Sequence, residues 1–128
     1  MTLAYAAAHD LLEAYVRARR AHDGDAYTAL FDEAAEVSFD PFAPALAGHN
    51  DLRAYLLTAA DAERAYDVAI EQHWVSGDTM LAAWHASWDR ASDEAKIRQA
   101  GFLSAVVGGD GRITRLRTWA VTREHLAG

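Results

Sequence analysis

The sequence contains no cysteine. Disulfides, thiolate metal sites and cysteine nucleophiles are therefore excluded. A chain without disulfides suits a reducing compartment, so a cytoplasmic location is expected. Positive charge is scarce: 12 Lys and Arg stand against 19 Asp and Glu, a formal net charge of −7. No face is basic enough for nucleic acid or an anionic membrane surface. The small cluster Arg17, Arg19 and Arg20 is followed by Asp23 and Asp25 and reads as the solvated end of a helix. No apolar run approaches the ~20 residues needed to span a bilayer. The start, Met1-Thr2-Leu3-Ala4-Tyr5, lacks the basic segment of a secretory signal. There is no His-x-x-x-His or His-Glu-x-x-His spacing, no glycine-rich phosphate loop opening a helix and no Gly-x-Ser-x-Gly elbow. Neither a metal nor another cofactor is expected, and nucleophilic hydrolase chemistry is unsupported.

What is present is apolar. Hydrophobic residues make up 52% of the 128 positions, with four Trp, five Tyr and four Phe. That composition and length predict one globular domain over residues 1–128.

Helical patterns come first. From Leu3 to about His22, Ala8, Leu11, Leu12, Tyr15 and Val16 recur at helical spacing, and Gly24 is read as the stop. Asp25 is read as the cap of a short helix carrying Tyr27, Leu30 and Phe31. Glu36 to Asp40 alternates like a strand, which Pro41 and Pro44 end. Gly48 leads into a third helix, with Asn50 as its cap and Leu52, Tyr55, Leu56 and Ala59 on its apolar face. Four strands follow: Val68 to Val75, Met80 to Asp89, Ile97 to Val107 and Arg112 to Val121. Their turns fall at Ser76-Gly77-Asp78-Thr79, Ala91 to Ala95 and Gly108-Gly109-Asp110-Gly111. Helices segregated from an antiparallel meander predict an α+β fold, three N-terminal helices packed on a curved antiparallel sheet.

A two-residue turn at Gly77-Asp78 puts Ile70, Gln72 and Trp74 on one face with Leu81, Ala83, His85 and Ser87. A turn centred on Gly109-Asp110 groups Gln99, Gly101, Leu103 and Ala105 with Thr114, Leu116, Thr118 and Ala120. These sets are assigned inward. The opposite face would carry Trp84, Trp88, Phe102 and Trp119, with His73 beside them. No helix is left to cover it, so a homodimer through this convex face is expected.

The stretches Val37-Ser38-Phe39-Asp40-Pro41-Phe42 before Gly48, His73-Trp74-Val75-Ser76-Gly77-Asp78, and Gly109-Asp110-Gly111-Arg112-Ile113, taken with the order of elements, resemble the NTF2-like superfamily. Its members include SnoaL-like polyketide cyclases and ketosteroid isomerase. The resemblance covers nearly the whole chain and implies a cone, a curved sheet around a long helix enclosing an apolar pocket. In ketosteroid isomerase a general-base aspartate precedes Pro-Phe, and Asp40-Pro41-Phe42 matches it. The resemblance thus implies catalysis by Asp40, with His85 as acid or orienting group and Gln99 bonding the substrate oxygen. The isomerase's second aspartate falls on Leu103, and its tyrosine falls near Arg17, two residues from Tyr15, so its oxyanion hole is not implied. The expected pocket walls are Tyr15, Phe31, Phe42, Tyr55, Trp74, Leu81, Leu103, Leu116 and Thr118. The expected function is a cofactor-independent lyase, isomerase or cyclase acting on a small apolar carbonyl or polyketide-like ligand. The alternative is a non-catalytic ligand-binding or dimerisation domain of the same fold, in which Asp40 merely starts a turn.

Overall fold

The computed structural model describes residues 2–126. Two helices come first, α1 (Tyr5–Ala21) and α2 (Gly24–Thr28), followed by β1 (Phe31–Ser38) and a two-residue β2 (Leu46–Ala47). Then come α3 (Gly48–Ala62) and the meander β3 (Glu63–Ser76), β4 (Thr79–Arg90), β5 (Lys96–Val107) and β6 (Ile113–His125). The strands form one curved sheet in the order β2-β1-β6-β5-β4-β3. The expected α+β cone with three helices on one face is what the chain forms. No helix among the described residues is long and apolar enough to cross a membrane.

Several local readings need correction. The sheet is mixed: β1 runs parallel to β6, with Val37 opposite Leu116. The long connection between these two strands leaves either direction open, unlike a tight hairpin. Helix α1 ends at His22, which takes the left-handed conformation at φ 49 and caps the carbonyls of Ala18 and Arg19. Gly24 instead opens α2, and the cap is Asp23, whose Oδ1 accepts the Ala26 N–H at 3.1 Å. Its extended backbone aims the carboxylate back at a free helical donor, which Asp25, already in the helix, cannot do. Phe31 is not on this helix; it begins β1, fully buried. Helix α3 starts at Gly48 rather than after Asn50, and Asp51 accepts the Ala47 N–H at 2.9 Å. Gly48 has φ +80, a region where a side chain would be strained.

Helix α1 lies against β3, and α3 against β1 and α2. Leu12 from α1, Leu52 and Leu56 from α3, and Val37, Met80, Leu103, Ile113 and Leu116 from the sheet are all buried in the layer between. Each such side chain contributes about 1.5–3 kcal/mol by leaving water.

The faces of the meander turn on two features. Ser76 pairs with Thr79, so Gly77-Asp78 is the expected two-residue turn. The register then slips between Ile70 and Gln72, leaving Glu71 as a bulge. A bulge swaps the faces beyond it. Thus His73 and Val75 on one side of it, and Val68 and Ile70 on the other, all turn toward the helices, and His73 is not on the convex face. Between β4 and β5, Asp89 pairs with Lys96 and Trp84 with Gly101. That register joins Trp84, not His85, to the face of Leu103. Trp74, Leu81 and His85 are consequently convex, and Trp84 is concave. Trp88 leans on Tyr66, ring centroids 5.7 Å apart, at the concave rim. The β5–β6 pairing of Leu103 with Thr118 and Ala105 with Leu116 is as expected; a slip at Val106/Val107 displaces Thr114 from its assigned face.

Gly101 sits where β5 is crossed most closely. A Cβ there would lie 1.9 Å from the Trp119 carbonyl oxygen and 3.0 Å from the Ala120 Cα. Both are backbone atoms and cannot swing aside. Gly101→Ala is therefore expected to destabilise by at least about 1–3 kcal/mol. Gly109→Ala, with nothing within 4 Å of the new atom, should change stability by less than about 0.5 kcal/mol. Denaturant unfolding of the two variants checks the contrast.

Candidate functional site

The interior of the cone begins with the stripe that α1 turns to the sheet. Ala8, Leu12, Tyr15 and Arg19 follow one another at spacings of four, three and four along the sequence, which aligns them on one face. Three members of that stripe are ordinary. The fourth is an arginine, 4% exposed. It faces a cavity of about 100 Å³ lined by Tyr15, Arg19, Phe39, Tyr55, Tyr66, Val68, Trp84, Gln99, Leu103, Thr118 and Ala120.

The guanidinium of Arg19 is held from several sides. Nη2 donates to both carboxylate oxygens of Glu63 at 3.4 Å. The Tyr66 ring lies 4.3 Å from the guanidinium carbon and the Tyr55 ring 5.6 Å, both within cation–π range. The last turn of α1 presents its negative dipole end to the same charge. Glu63 in turn lies 2.9 Å from Nε2 of His22, and all three side chains are largely buried. Nη1 of Arg19 is buried with no hydrogen-bond partner among the described residues. Burial works against the charge, but the surrounding Tyr55, Tyr66, Tyr15 and Glu63 outweigh it, so the arginine pKa rises further.

The polar atoms of the walls include two groups that only donate, Arg19 and the Trp84 indole, and hydroxyls and an amide that can also donate. Burial raises the Tyr15 phenol, opposed by Arg19. Burial likewise pushes Tyr55 up to about 12, again opposed by Arg19, and raises Tyr66. All three are protonated at neutral pH. Trp84 donates from Nε1 to the Thr118 hydroxyl at 3.1 Å, and Thr118 donates to the Phe102 carbonyl at 3.2 Å. Gln99 donates to the Thr122 hydroxyl at 3.0 Å. Phe39 stacks on Tyr55, ring centroids 4.7 Å apart.

Of the anticipated site residues, Tyr15, Tyr55, Gln99, Leu103 and Thr118 line this cavity. Phe31 and Leu116 are buried in the core rather than in its wall. The rest lie elsewhere. Asp40 is exposed, and its Oδ1 accepts the Phe42 N–H at 2.9 Å, the turn that Asp-Pro commonly makes. Phe42 is 96% exposed. His85 is exposed on the convex face, 2.9 Å from Glu71, with Trp74 and Leu81 on the same side. Asp40 and His85 therefore do not share the cavity, and no acid–base pair forms from them. The sequence reading missed Arg19, Glu63, Tyr66 and Phe39. Arg19 carried a signal: it stands seven residues after Leu12 and four after Tyr15, on the apolar stripe. The exposed His9, Asp10 and Glu13 have ligand atoms within 4.8 Å of one another, but His9 is already paired with Glu13 at 3.1 Å.

The model of the SnoaL-like domain family matches residues 12–116. Among solved structures, the chain is similar to Rv0760c from Mycobacterium tuberculosis, with 18% identity over 96% of this chain and 99% of that one and a TM-score of 0.80. It is similar to the epoxide hydrolase/cyclase-like enzyme SalBIII of pyran ring formation in salinomycin, with 16% identity over 88% and 89% of the two chains and a TM-score of 0.79. It is also similar to a computationally designed 17-OHP binder, with 19% identity over 93% and 98% and a TM-score of 0.80. At these identities the likeness is one of fold. No curated protein matches the chain.

The raised tyrosines give a pH dependence with a fixed sign. A phenol whose folded pKa exceeds its ordinary value of 10.0 binds its proton more tightly when folded. Its contribution to stability is complete below about pH 10 and is lost as pH rises through about 12 for Tyr55. Stability should therefore fall across that window, and Tyr55→Phe should flatten part of the fall. Denaturant unfolding at a series of alkaline pH values measures it.

Proposed function

The chain belongs to the SnoaL-like domain family, and from that premise we propose that it binds a small, largely apolar molecule inside the cone and converts it there, as a cofactor-independent isomerase, lyase or cyclase. The observation that carries this reading is the cavity itself, closed by Tyr15, Phe39, Tyr55, Tyr66, Trp84 and Leu103. Its volume of about 100 Å³ restricts the ligand to a small molecule. Tyr15, Tyr55, Gln99, Leu103 and Thr118 are the substrate-contacting residues in this proposal. Phenols that stay protonated can donate to a substrate carbonyl and acidify the C–H beside it. Glu63, which joins Arg19 of the wall to His22, is the proton acceptor in this proposal.

A second reading, binding without turnover, has its own support: none of the cavity-lining residues is an Asp or Glu. Phenylacetone separates the two. Its activated C–H positions exchange with deuterated water, which NMR follows directly. The enzyme reading expects exchange accelerated by the protein and largely lost in Glu63→Gln. Binding with no acceleration would establish the carrier reading instead, and absence of binding by any single-ring ketone would overturn both.

We further propose that the convex face pairs with a second copy of this chain. Trp74, Phe102 and Trp119 are 40%, 52% and 43% exposed on it, and all three helices are committed to the other side. Trp84 and Trp88, which face the concave side, are not part of this surface. Sedimentation at tens of micromolar, roughly where an interface of ordinary size holds, should show a dimer, and Phe102→Asp should shift it to monomer. A wild-type monomer at that concentration would sink the proposal.

A further inference from the structure

Arg19 is the feature that cavity binding alone does not account for. A guanidinium is never neutral in a protein, and taking one out of water is costly. Here Nη2 is turned to Glu63 at 3.4 Å from both oxygens, long contacts for a charge-assisted pair. Nη1 is buried with no hydrogen-bond partner among the described residues, and Arg19 is one of the residues that line the cavity. A buried donor on a charged group left unpaired is costly, and native structures rarely leave one so. The rings of Tyr66 and Tyr55 cover the guanidinium face at 4.3 Å and 5.6 Å. Stacking on those rings covers the guanidinium face but leaves the in-plane hydrogens of Nη1 unpaired.

From this geometry we infer that the ligand of the cavity presents an acceptor oxygen, a carbonyl, enolate or carboxylate, to Nη1 of Arg19, with its ring lying among Tyr15, Tyr55, Tyr66 and Trp84. The inference rests on the cavity being a binding site, and it adds which chemical class fits there. The cavity's other charged neighbour, Glu63, is occupied by Arg19 and by His22 at 2.9 Å, so it does not compete for the ligand's oxygen. Arg19 can only donate and the three phenols can donate as well, so an acceptor oxygen finds the most partners there. Arg19 is in this account a binding residue that touches the ligand.

Acetophenone and α-methylstyrene test it, because they differ only in carrying C=O or C=CH₂ on the same ring. In the wild-type protein, titration should show acetophenone binding about tenfold or more tightly than α-methylstyrene, the margin of one hydrogen bond to a charged donor. The carbonyl stretch of the bound ketone should move to lower wavenumber. In Arg19→Gln the margin should shrink to a few-fold or less, with α-methylstyrene binding little changed. Should that variant fail to fold, the wild-type comparison and the vibrational shift still decide. Equal affinities with an unshifted carbonyl stretch would overturn the role of Arg19 while leaving the cavity as a binding site. If neither compound binds, the cavity reading falls with it.

Discussion

The burial of one guanidinium organises the interior of this protein. Arg19 ties the end of α1 to Glu63 at the start of β3, to Tyr66 three residues further on, and to Tyr55 of α3. Three elements, α1, α3 and β3, meet at a single charge. The desolvation that this charge suffers is offset by two aromatic faces, a carboxylate and the negative end of its own helix. None of these alone would compensate for it. Removing any one of them would weaken the others' reason to be there, since Glu63 and the tyrosines would then face a less favourable neighbour. The closure of the cone and the chemistry of its cavity thus depend on the same atoms.

The second constraint is parity along the strands. Side chains alternate, so what faces the cavity depends on single-residue details: the bulge at Glu71, and a β4–β5 connection that sets Asp89 against Lys96. These details place Trp84 opposite Gly101. The absence of a side chain at Gly101 lets the Trp119 and Ala120 backbone approach closely there, and the indole is fixed by its bond to Thr118. The same parity sends Trp74, Phe102 and Trp119 to the other face. One register decides at once which aromatics build the pocket and which are offered to solvent.

The fold was legible because its signals are long and redundant. Helical spacing over α1, the Gly77-Asp78 turn and the glycine-rich turn before β6 each point to the same architecture, and an error of a residue in any one leaves it intact. The inward-facing residues were legible only where the register was local. Gln99, Leu103 and Thr118 were correctly grouped because a short hairpin joins β5 to β6. His85, Leu81 and Trp74 were not, because their orientation depends on how the 91–95 turn closes, which propensity does not specify. Asp40-Pro41-Phe42 shows a different failure. A three-residue match is satisfied equally by a catalytic base and by an Asx turn, and here the backbone N–H of Phe42 claims the carboxylate. Arg19 was hidden by its neighbours: Arg17 and Arg20 are exposed, so a reading by composition treats all three as solvent-facing, whereas helical position singles out the middle one.

A fold of this kind hosts unrelated chemistries, so the fold does not choose among them; the side chains inside the cone do. In this chain those side chains are unequal in kind. The interior offers a guanidinium, an indole and phenols held in their protonated form by burial, and its one nearby carboxylate is already engaged by Arg19 and His22. Such a lining stabilises negative charge gathering on a ligand oxygen far better than it removes a proton from carbon. Electrostatic stabilisation of that kind is commonly the larger share of catalysis, and in the proposed function it is the share that does not depend on Asp40 and His85. What separates a carrier from a catalyst in this cone is therefore narrow. It comes down to whether the Glu63 carboxylate, shared between Arg19 and His22, can exchange a proton while a ligand oxygen occupies Nη1. The 3.4 Å contacts on the arginine side and the 2.9 Å contact on the histidine side place that carboxylate closer to the partner able to relay a proton than to the one that never gives its proton up.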